Sequence, residues 1–273
     1  MGNCRFCGQP AGLLKSQHKE CRQKHDTAAG KLPEFFVKAL ENPIETSRFR
    51  EIADAIAHDN YIREAELRQL SILGLSSMIE HAFKDHVLTE NENKRIVELC
   101  NSFAVTANDL GGAGQRLAKA QILRQLDEGQ VPSNIVVSDM PINLENGEVA
   151  IWLFNGATYY TSRSRTRYVG SSHGVSIRVM KGVYYRVGAF RGEPIKTQYL
   201  SEEGRGIFVI ASKNVYFWSP QKALKIRHKK IISVQPYSDA IQIMRDVSNA
   251  SPQLFALDDP PFAADLISQL NQL

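Results

Sequence analysis

The sequence has no apolar run that approaches the roughly 18–20 residues needed to cross a bilayer as a helix. Its N-terminus also lacks the apolar core that makes a secretory signal. A Met-Gly start is present, but the myristoylation pattern requires Ser or Thr where Phe6 stands. These absences predict a soluble, cytoplasmic protein, and they leave open a peripheral contact with a membrane surface.

Catalytic motifs are lacking as well. The sequence contains no P-loop, no G-x-S-x-G, no H-E-x-x-H and no clustering of acidic residues with histidine. Cys100 shares an apolar helical face with Ile96 and Phe103, so it is predicted as a core residue and not as a reactive thiol. The sequence therefore predicts a protein that is not an enzyme.

The composition is that of a globular protein, because hydrophobic residues make up 43% and charged residues 23% of the 273 residues. The net charge of +4 conceals an asymmetry, since residues 1–30 carry +3, residues 31–130 carry −4 and residues 145–273 carry +6. An acidic middle between two basic ends indicates three modules. We predict an α+β multidomain protein with a small module at 1–30, an all-α helical bundle at 31–130, a linker at 131–146 and a β domain at 147–273.

Three of the four cysteines lie within the first 21 residues, in a C-x2-C pair followed by an H-x2-C pair. The four residues are Cys4, Cys7, His18 and Cys21. Two close pairs of such ligands suit a tetrahedral, structural zinc ion, with no coordination position left open for catalysis. The alternatives are a disulfide or free thiols, with His25 as a competitor for the third ligand position. The spacing predicts a short zinc finger, a class that binds protein, DNA or RNA.

Between residues 32 and 128 the apolar residues recur with helical periodicity, and Gly74 is predicted to interrupt one helix. Two helix joints, at residues 59–66 and 85–92, share one pattern. In each, an Asp is followed after two residues by Ile or Leu, and after three more residues by Glu. Thr89 in the second joint is predicted as an N-cap with Glu92 as its capping-box partner.

This duplicated pattern resembles the TerB-like helical domain of tellurite-resistance proteins. In that family acidic residues at such joints are linked to metal binding. The resemblance would place a metal at Asp59, Glu66, Asp85 and Glu92. The alternating oxygen ligands of a calcium loop are missing, so helix capping is the favoured interpretation.

From Gly147 onwards short strands alternate with turn signals, and the chain closes with an amphipathic helix. The apolar face of that helix consists of Phe262, Leu266 and Leu270. This pattern predicts a small bent barrel capped by a helix. The order of segments from Gly206 to Ile243 resembles the GRAM and bacterial pleckstrin-homology (PH-like) superfamily. The resemblance implies a PH-like β-barrel without enzymatic activity that binds membrane lipid or protein.

No Asp or Glu occurs between residues 150 and 192, where basic residues are frequent. The predicted ligand-binding basic surface consists of Arg163, Arg165, Arg167, Arg178 and Arg186. If residues 161–168 are extended, the first three arginines share one face, and guanidinium groups bind phosphate or carboxylate. The alternatives are contact with a partner or with the acidic module, and a solvated arm. A second basic cluster is interpreted as plain surface and comprises Lys222, Lys225, Arg227, Lys229 and Lys230.

Lipid-binding members of the PH-like superfamily often carry a basic K-x(n)-[KR]-x-R pattern near the first two strands. Residues 163–167 match the end of this pattern, whereas the first strand here has no lysine. The upstream part of the lipid-binding pattern is therefore missing.

Together these features predict a non-enzymatic adaptor that docks through its β domain on anionic membrane lipid or on a protein partner. A second hypothesis is nucleic-acid binding by the zinc finger and the basic segment, although no aromatic residues alternate with Arg163, Arg165 and Arg167. A third hypothesis is an accessory protein of stress-response or phage-related systems, which follows from the TerB-like resemblance alone.

Overall fold

The computed structural model describes residues 2–12, 15–42, 44–84, 88–132, 140–168, 175–180, 183–187, 194–247 and 251–273, and for 164–198 it describes the backbone only. The chain divides into two compact units, Met1–Gln121 and Ile122–Leu273. Its described part contains six α-helices and a seven-stranded antiparallel sheet, so the protein belongs to the α+β class. The predicted linker falls largely on residues 133–139, which lie outside the described residues.

The helices and strands follow one another in two blocks. The helices are α1 (Lys19–Glu41), α2 (Thr46–Asp59), α3 (Glu64–Ala82), α4 (Glu90–Ser102), α5 (Gly111–Asp127) and, at the C-terminus, α6 (Pro260–Leu270). The strands are β1 (Ala150–Tyr168), β2 (Val175–Met180), β3 (Val183–Val187), β4 (Pro194–Ala211), β5 (Asn214–Trp218), β6 (Ala223–Arg227), β7 (Ile231–Pro236), β8 (Ala240–Arg245) and β9 (Gln253–Ala256). A single 3₁₀ turn, His228–Lys230, joins β6 to β7.

An aromatic core holds the first unit together. Phe36 of α1 contacts Phe49 of α2 and Phe103 edge to face, with ring centroids 5.0 and 5.1 Å apart. Helix α3 continues through Gly74, so the predicted interruption there is wrong. A Cβ atom at Gly74 would lie 2.5 Å from Cδ2 of Phe36, which shows that α1 and α3 approach closely at this point. Glycine costs a helix about 1 kcal/mol, and this close packing outweighs that cost.

The start of α4 confirms the predicted capping box. The Thr89 hydroxyl accepts a hydrogen bond from the backbone N–H of Glu92 at 3.3 Å, and the Glu92 carboxylate accepts one from the backbone N–H of Thr89 at 2.9 Å. Two backbone donors at the helix start are thereby satisfied. The other end of this joint, Asp85, lies outside the described residues.

The second unit contains the seven-stranded sheet, in the order β6-β5-β4-β1-β9-β8-β7. Its two longest strands, β1 and β4, pair with each other from Ala150 and Ala211 out to Tyr168 and Pro194. Strand β9 pairs with β1 at Thr158 to Thr161, and β5 pairs with β4 only near its C-terminal end. Beyond residue 161, β1 and β4 therefore form a two-stranded arm, which we call the β1–β4 arm. Strands β2 and β3 form a separate two-stranded sheet.

Helix α6 covers one face of the large sheet. Phe262, Leu266 and Leu270, the predicted apolar face, are all buried in the core of this unit. The helix begins at Pro260, and the carboxylate of Asp259 accepts a hydrogen bond from the backbone N–H of Phe262 at 3.3 Å. The predicted C-terminal amphipathic helix is thus confirmed.

Candidate metal centre

A tight turn near the N-terminus positions the first pair of candidate ligands. The backbone N–H of Cys4 donates to the carbonyl of Gln9 at 2.7 Å, and that of Gly8 donates to the carbonyl of Cys4 at 2.9 Å. Gly8 has a φ of 75°, a left-handed conformation that glycine adopts without steric cost. The turn brings the Cys4 and Cys7 thiols to the same side of the chain.

The start of α1 provides the second pair. His18 is the N-cap residue of α1 and Cys21 lies in its first turn. The ligand atoms of all four predicted residues lie within 4.8 Å of one another. His18 Nδ1 is 3.3 Å from the Cys7 sulfur and 3.7 Å from the Cys21 sulfur. Zinc binds sulfur at about 2.3 Å and nitrogen at about 2.0 Å, so one ion fits between atoms at these separations.

The orientation of His18 determines which ring nitrogen faces the sulfurs. His18 Nε2 lies 3.0 Å from the carbonyl oxygen of Pro10, to which its N–H donates a hydrogen bond. In the neutral imidazole with its proton on Nε2, the lone pair of Nδ1 is directed toward the cysteines and is available to a metal. A carbonyl partner on the remote nitrogen is the usual arrangement for a metal-binding histidine.

Electrostatics favour a cation at this centre. Burial opposes ionisation of the Cys4 thiol, but hydrogen bonds from the backbone of Cys7, His18 and Phe6 outweigh it and lower the pKa of Cys4 to about 6. Burial and the adjacent Cys7 and Cys4 sulfurs raise the pKa of Cys21. Three thiolates at this distance repel one another unless a positive ion lies between them. All four cysteines of the chain are free, so the disulfide alternative does not describe this arrangement.

His25, the competing ligand, lies outside the cluster. Its Nε2 is 3.0 Å from the Glu66 carboxylate of α3, and its Nδ1 is 3.1 Å from the Asp26 carboxylate. Its ring also contacts Phe6, with centroids 4.9 Å apart, and Phe6 in turn lies 6.1 Å from the ring of Tyr61. His25 therefore connects the metal-binding turn to the helices of the first unit.

The acidic residues at the helix joints do not form a second metal centre in the described part of the chain. Asp59 contacts the adjacent His58, Glu66 contacts His25, and Glu92 belongs to the capping box. Among the described residues, the four N-terminal ligands are the only group of His, Cys, Asp and Glu close enough to share an ion.

A comparison with known protein families and with curated proteins finds no match for this chain. No helix in the described residues combines the length and the apolar composition that a bilayer crossing requires.

The predicted basic surface lies on the β1–β4 arm and on the small sheet. Arg163, Arg165 and Arg167 occupy alternate positions of β1, opposite residues 199, 197 and 195 of β4. Arg163 is exposed and forms an ion pair with Glu203 of β4, with Nη2 2.7 Å from the carboxylate. The other side chains of the predicted surface, those of Arg165, Arg167, Arg178 and Arg186, lie outside the described residues.

Sequence reasoning missed the acidic partner of Arg163. Glu203 also accepts a hydrogen bond from the Thr161 hydroxyl at 2.7 Å, and these contacts with Thr161 and Arg163 lower the pKa of its carboxyl group. The acid-free segment is thus paired with a strand that does contain acids. Only the register of β1 against β4 reveals this, because forty residues separate the two partners in the sequence.

Sequence reasoning also missed a buried polar group. Glu148, which precedes β1, is 7% exposed. Its Oε1 accepts hydrogen bonds from the Lys213 backbone at 3.2 Å and the Asn214 amide at 2.9 Å, and its Oε2 accepts from the Tyr216 hydroxyl at 2.6 Å and the Glu145 backbone at 2.9 Å. These contacts attach the segment before β1 to the β4–β5 hairpin.

Proposed function

We propose that this chain is a non-enzymatic, zinc-stabilised binding protein whose C-terminal unit is a PH-like barrel that docks on an anionic partner. The observation that carries the proposal is the β1–β4 arm. This two-stranded ribbon extends past the other strands of the sheet and places Arg163, Arg165 and Arg167 at alternate positions. Among the described residues no further strand pairs with either outer edge of this ribbon. Such a ribbon can approach a large surface, and guanidinium groups favour phosphate and carboxylate oxygens.

The strand order supports the barrel. Strands β6 and β7 stand at opposite edges of the sheet in pairing order, yet only the three residues His228–Lys230 separate them in the chain. A sheet whose two edge strands are joined so tightly has to bend round toward itself. Helix α6 packs against β7, β8 and β4, as a cap on such a barrel would. In this proposal the TerB-like resemblance describes the helices of the first unit.

The donor set supports zinc as the metal. Three thiolates and one imidazole suit zinc better than calcium or magnesium, which prefer oxygen. Four protein ligands complete a tetrahedron, so the ion would be structural. Cys4, Cys7, His18 and Cys21 would hold it, and it would supply the positive charge that the converging sulfurs require.

The experiment that tests the proposal compares two triple variants. Arg163→Ala, Arg165→Ala and Arg167→Ala remove three charges from the arm. The control removes the same charge from exposed positions of α1, with Lys24→Ala, Lys31→Ala and Lys38→Ala. Binding is measured for vesicles with and without phosphatidylserine, for a co-purifying acidic protein and for nucleic acid.

We expect the arm variant to fold, because exposed ion pairs contribute little to stability. Each basic residue near an anionic membrane contributes about 1 kcal/mol, so its affinity for an anionic partner should fall at least tenfold while the control changes little. Equal binding by the arm variant and the unaltered chain would refute the proposal. A loss confined to nucleic acid, with a steep dependence on salt, would replace it with the nucleic-acid hypothesis.

A further inference from the structure

The turn between β6 and β7 is fixed to the sheet by two inward-facing side chains. His228 is 3% exposed, and its Nε2 lies 2.7 Å from the carbonyl oxygen of Ala211. Its backbone N–H donates to the carbonyl of Lys213 at 3.1 Å. Ile231, at the other end of the turn, is 6% exposed and belongs to the core. The turn therefore has a defined orientation, and the residues between and beside these anchors face solvent.

The outward residues of this turn are mainly cations. Arg227, Lys229 and Lys230 are exposed, and none forms an ion pair with another described residue. Lys225, two residues before Arg227 in β6, differs because it forms an ion pair with Glu145. That ion pair, reinforced by the more distant Arg227, lowers the pKa of Glu145. The cations without an ion pair here are thus Arg227, at the end of β6, and Lys229 and Lys230 in the turn.

Two exposed apolar side chains lie at the same end of the β7–β8 pair as these cations. Ile232 of β7 is 63% exposed and Val247, just after β8, is 54% exposed. The backbone N–H of Asp246 donates to the carbonyl of Lys230 at 2.9 Å, which brings Val247 to the same end of the β7–β8 pair as the turn. Asp246 contributes one negative charge here, against three positive charges.

We propose that this surface docks on an anionic lipid bilayer, with the cations at the headgroups and the two aliphatic side chains inserted among them. The surface, which we call the β6–β7 edge surface, comprises Arg227, Lys229, Lys230, Ile232 and Val247. The inference rests on the proposed docking to an anionic partner, and it names the partner as membrane lipid.

The combination of charge and exposed aliphatic area favours a membrane over other polyanions. Nucleic acid offers phosphates for Arg227, Lys229 and Lys230, but it would leave Ile232 and Val247 in water. The interface of an anionic bilayer satisfies both groups, since phosphatidylserine attracts lysine and arginine and the acyl boundary accepts aliphatic side chains. Long basic side chains can also lie along apolar surface while their charged ends stay at the headgroups.

The test uses the full, zinc-loaded chain and its co-sedimentation with phosphatidylcholine vesicles, with and without phosphatidylserine. One edge variant removes charge, with Lys229→Gln and Lys230→Gln, and its control is Lys31→Gln with Lys38→Gln on α1. The other removes apolar area with Ile232→Gln, and its control is Leu73→Gln, at an α3 residue that is 55% exposed. All these positions are exposed, and circular dichroism verifies the fold of each variant.

We expect the unaltered chain to bind only the vesicles that contain phosphatidylserine. The charge variant should bind them roughly tenfold more weakly or worse. The affinity of Ile232→Gln for these vesicles should also fall roughly tenfold, because the free energy of burying an isoleucine side chain corresponds to at least that factor. Both controls should bind as the unaltered chain does.

Three results would overturn the inference, and they are distinguishable from failure of the proposed function. Unchanged binding by Ile232→Gln would exclude insertion of the edge. Retained binding by both edge variants, with loss in the arm variant, would overturn this inference and leave the proposed function intact. Absence of vesicle binding by the unaltered chain would exclude lipid as the partner. The binding measurement with the acidic protein, described above, would then decide the proposed function.

Discussion

Two polar centres of this protein, the half-buried metal centre and the buried Glu148 centre, differ in what their members offer one another. At the metal centre, three sulfurs and one imidazole nitrogen converge within 4.8 Å. All four atoms are electron-pair donors, and the hydrogen bonds they receive come from the backbone around them, as in the bond from His18 N–H to the Cys4 sulfur at 3.3 Å. A positive charge is the component that this group lacks.

The Glu148 centre has no such deficit. Each carboxylate oxygen accepts two hydrogen bonds, from Lys213 and Asn214 on one side and from Tyr216 and Glu145 on the other. Burial opposes the charge of Glu148, but these hydrogen bonds outweigh it and lower the pKa of the carboxyl group. Both oxygens of the carboxylate have donors, so Glu148 acts as a structural link. The converging sulfurs and imidazole nitrogen of the metal centre, in contrast, leave room for a positive ion.

The largest effect is expected at the metal centre. Replacement of one ligand, Cys4→Ser, should reduce bound zinc from about one equivalent per chain to none, because a structural zinc site depends on all four ligands. The melting temperature of the first unit should fall with the metal. Metal analysis and thermal melting of purified protein measure both effects.

Cys100→Ser is the matched control, since burial raises the pKa of that thiol to about 11 and keeps it protonated. This variant should keep its full zinc content. A Cys4→Ser protein that also retains one equivalent of zinc would show that the metal centre is not the one described.

At the Glu148 centre we expect a smaller loss that no added ion restores. Glu148→Ala leaves several buried donors without a partner, which should cost about 3 kcal/mol of unfolding free energy. The folded-state pKa of Glu148 is below its unfolded value of about 4.3, so its contribution is present above that pH and is lost as pH falls through the folded pKa.

Urea denaturation from neutral to acidic pH measures this contribution. The control is Glu145→Ala, which removes a more exposed carboxylate paired with Lys225 and should change stability much less. If the two variants were equally stable, the four hydrogen bonds to Glu148 would have no net structural value.

The parts of the structure that the sequence predicts well are local. The metal ligands span eighteen residues, and the capping box of Thr89 and Glu92 spans four, so spacing alone brings the partners together. The apolar face of α6 follows in the same way from helical periodicity. Within α4 and α6 the backbone is helical, and within each metal-ligand pair the two members are three residues apart, so a short sequence distance converts into a short spatial distance.

The parts that were missed depend on strand register and on close packing. The pairing of Arg163 with Glu203 and the contacts of Glu148 with Tyr216 join residues forty or more positions apart. The need for glycine at position 74 of α3 depends on Phe36 of another helix. These features belong to contacts between elements, for which one sequence carries no spacing rule.

The smallest effect is expected for the His25–Glu66 pair. In the pairing of its polar groups it is intermediate between the metal centre and the Glu148 centre. It has one donor and one acceptor in contact at 3.0 Å, with the Asp26 carboxylate beside the same imidazole and the Phe6 ring against its face. The hydrogen bond to the Glu66 carboxylate raises the pKa of His25, and burial of the imidazole opposes this effect. Protonated His25 therefore adds stability that is complete below the unfolded histidine pKa of about 6.5 and is lost as pH rises through the folded pKa.

Glu66→Gln removes the charge that favours protonated His25 while retaining a side chain of the same size. We expect this variant to lose about 0.5–1 kcal/mol at pH values below the histidine pKa and less at alkaline pH. Urea denaturation of the zinc-loaded protein at several pH values measures the difference from the unaltered chain. Asp26→Asn, at a side chain that is 56% exposed, should change the pH dependence less. The same pH dependence in the Glu66→Gln protein and the unaltered chain would show that the contact between α1 and α3 at this point does not depend on charge. His25 would then join the metal-binding turn to the helices only through the packing of its ring against Phe6.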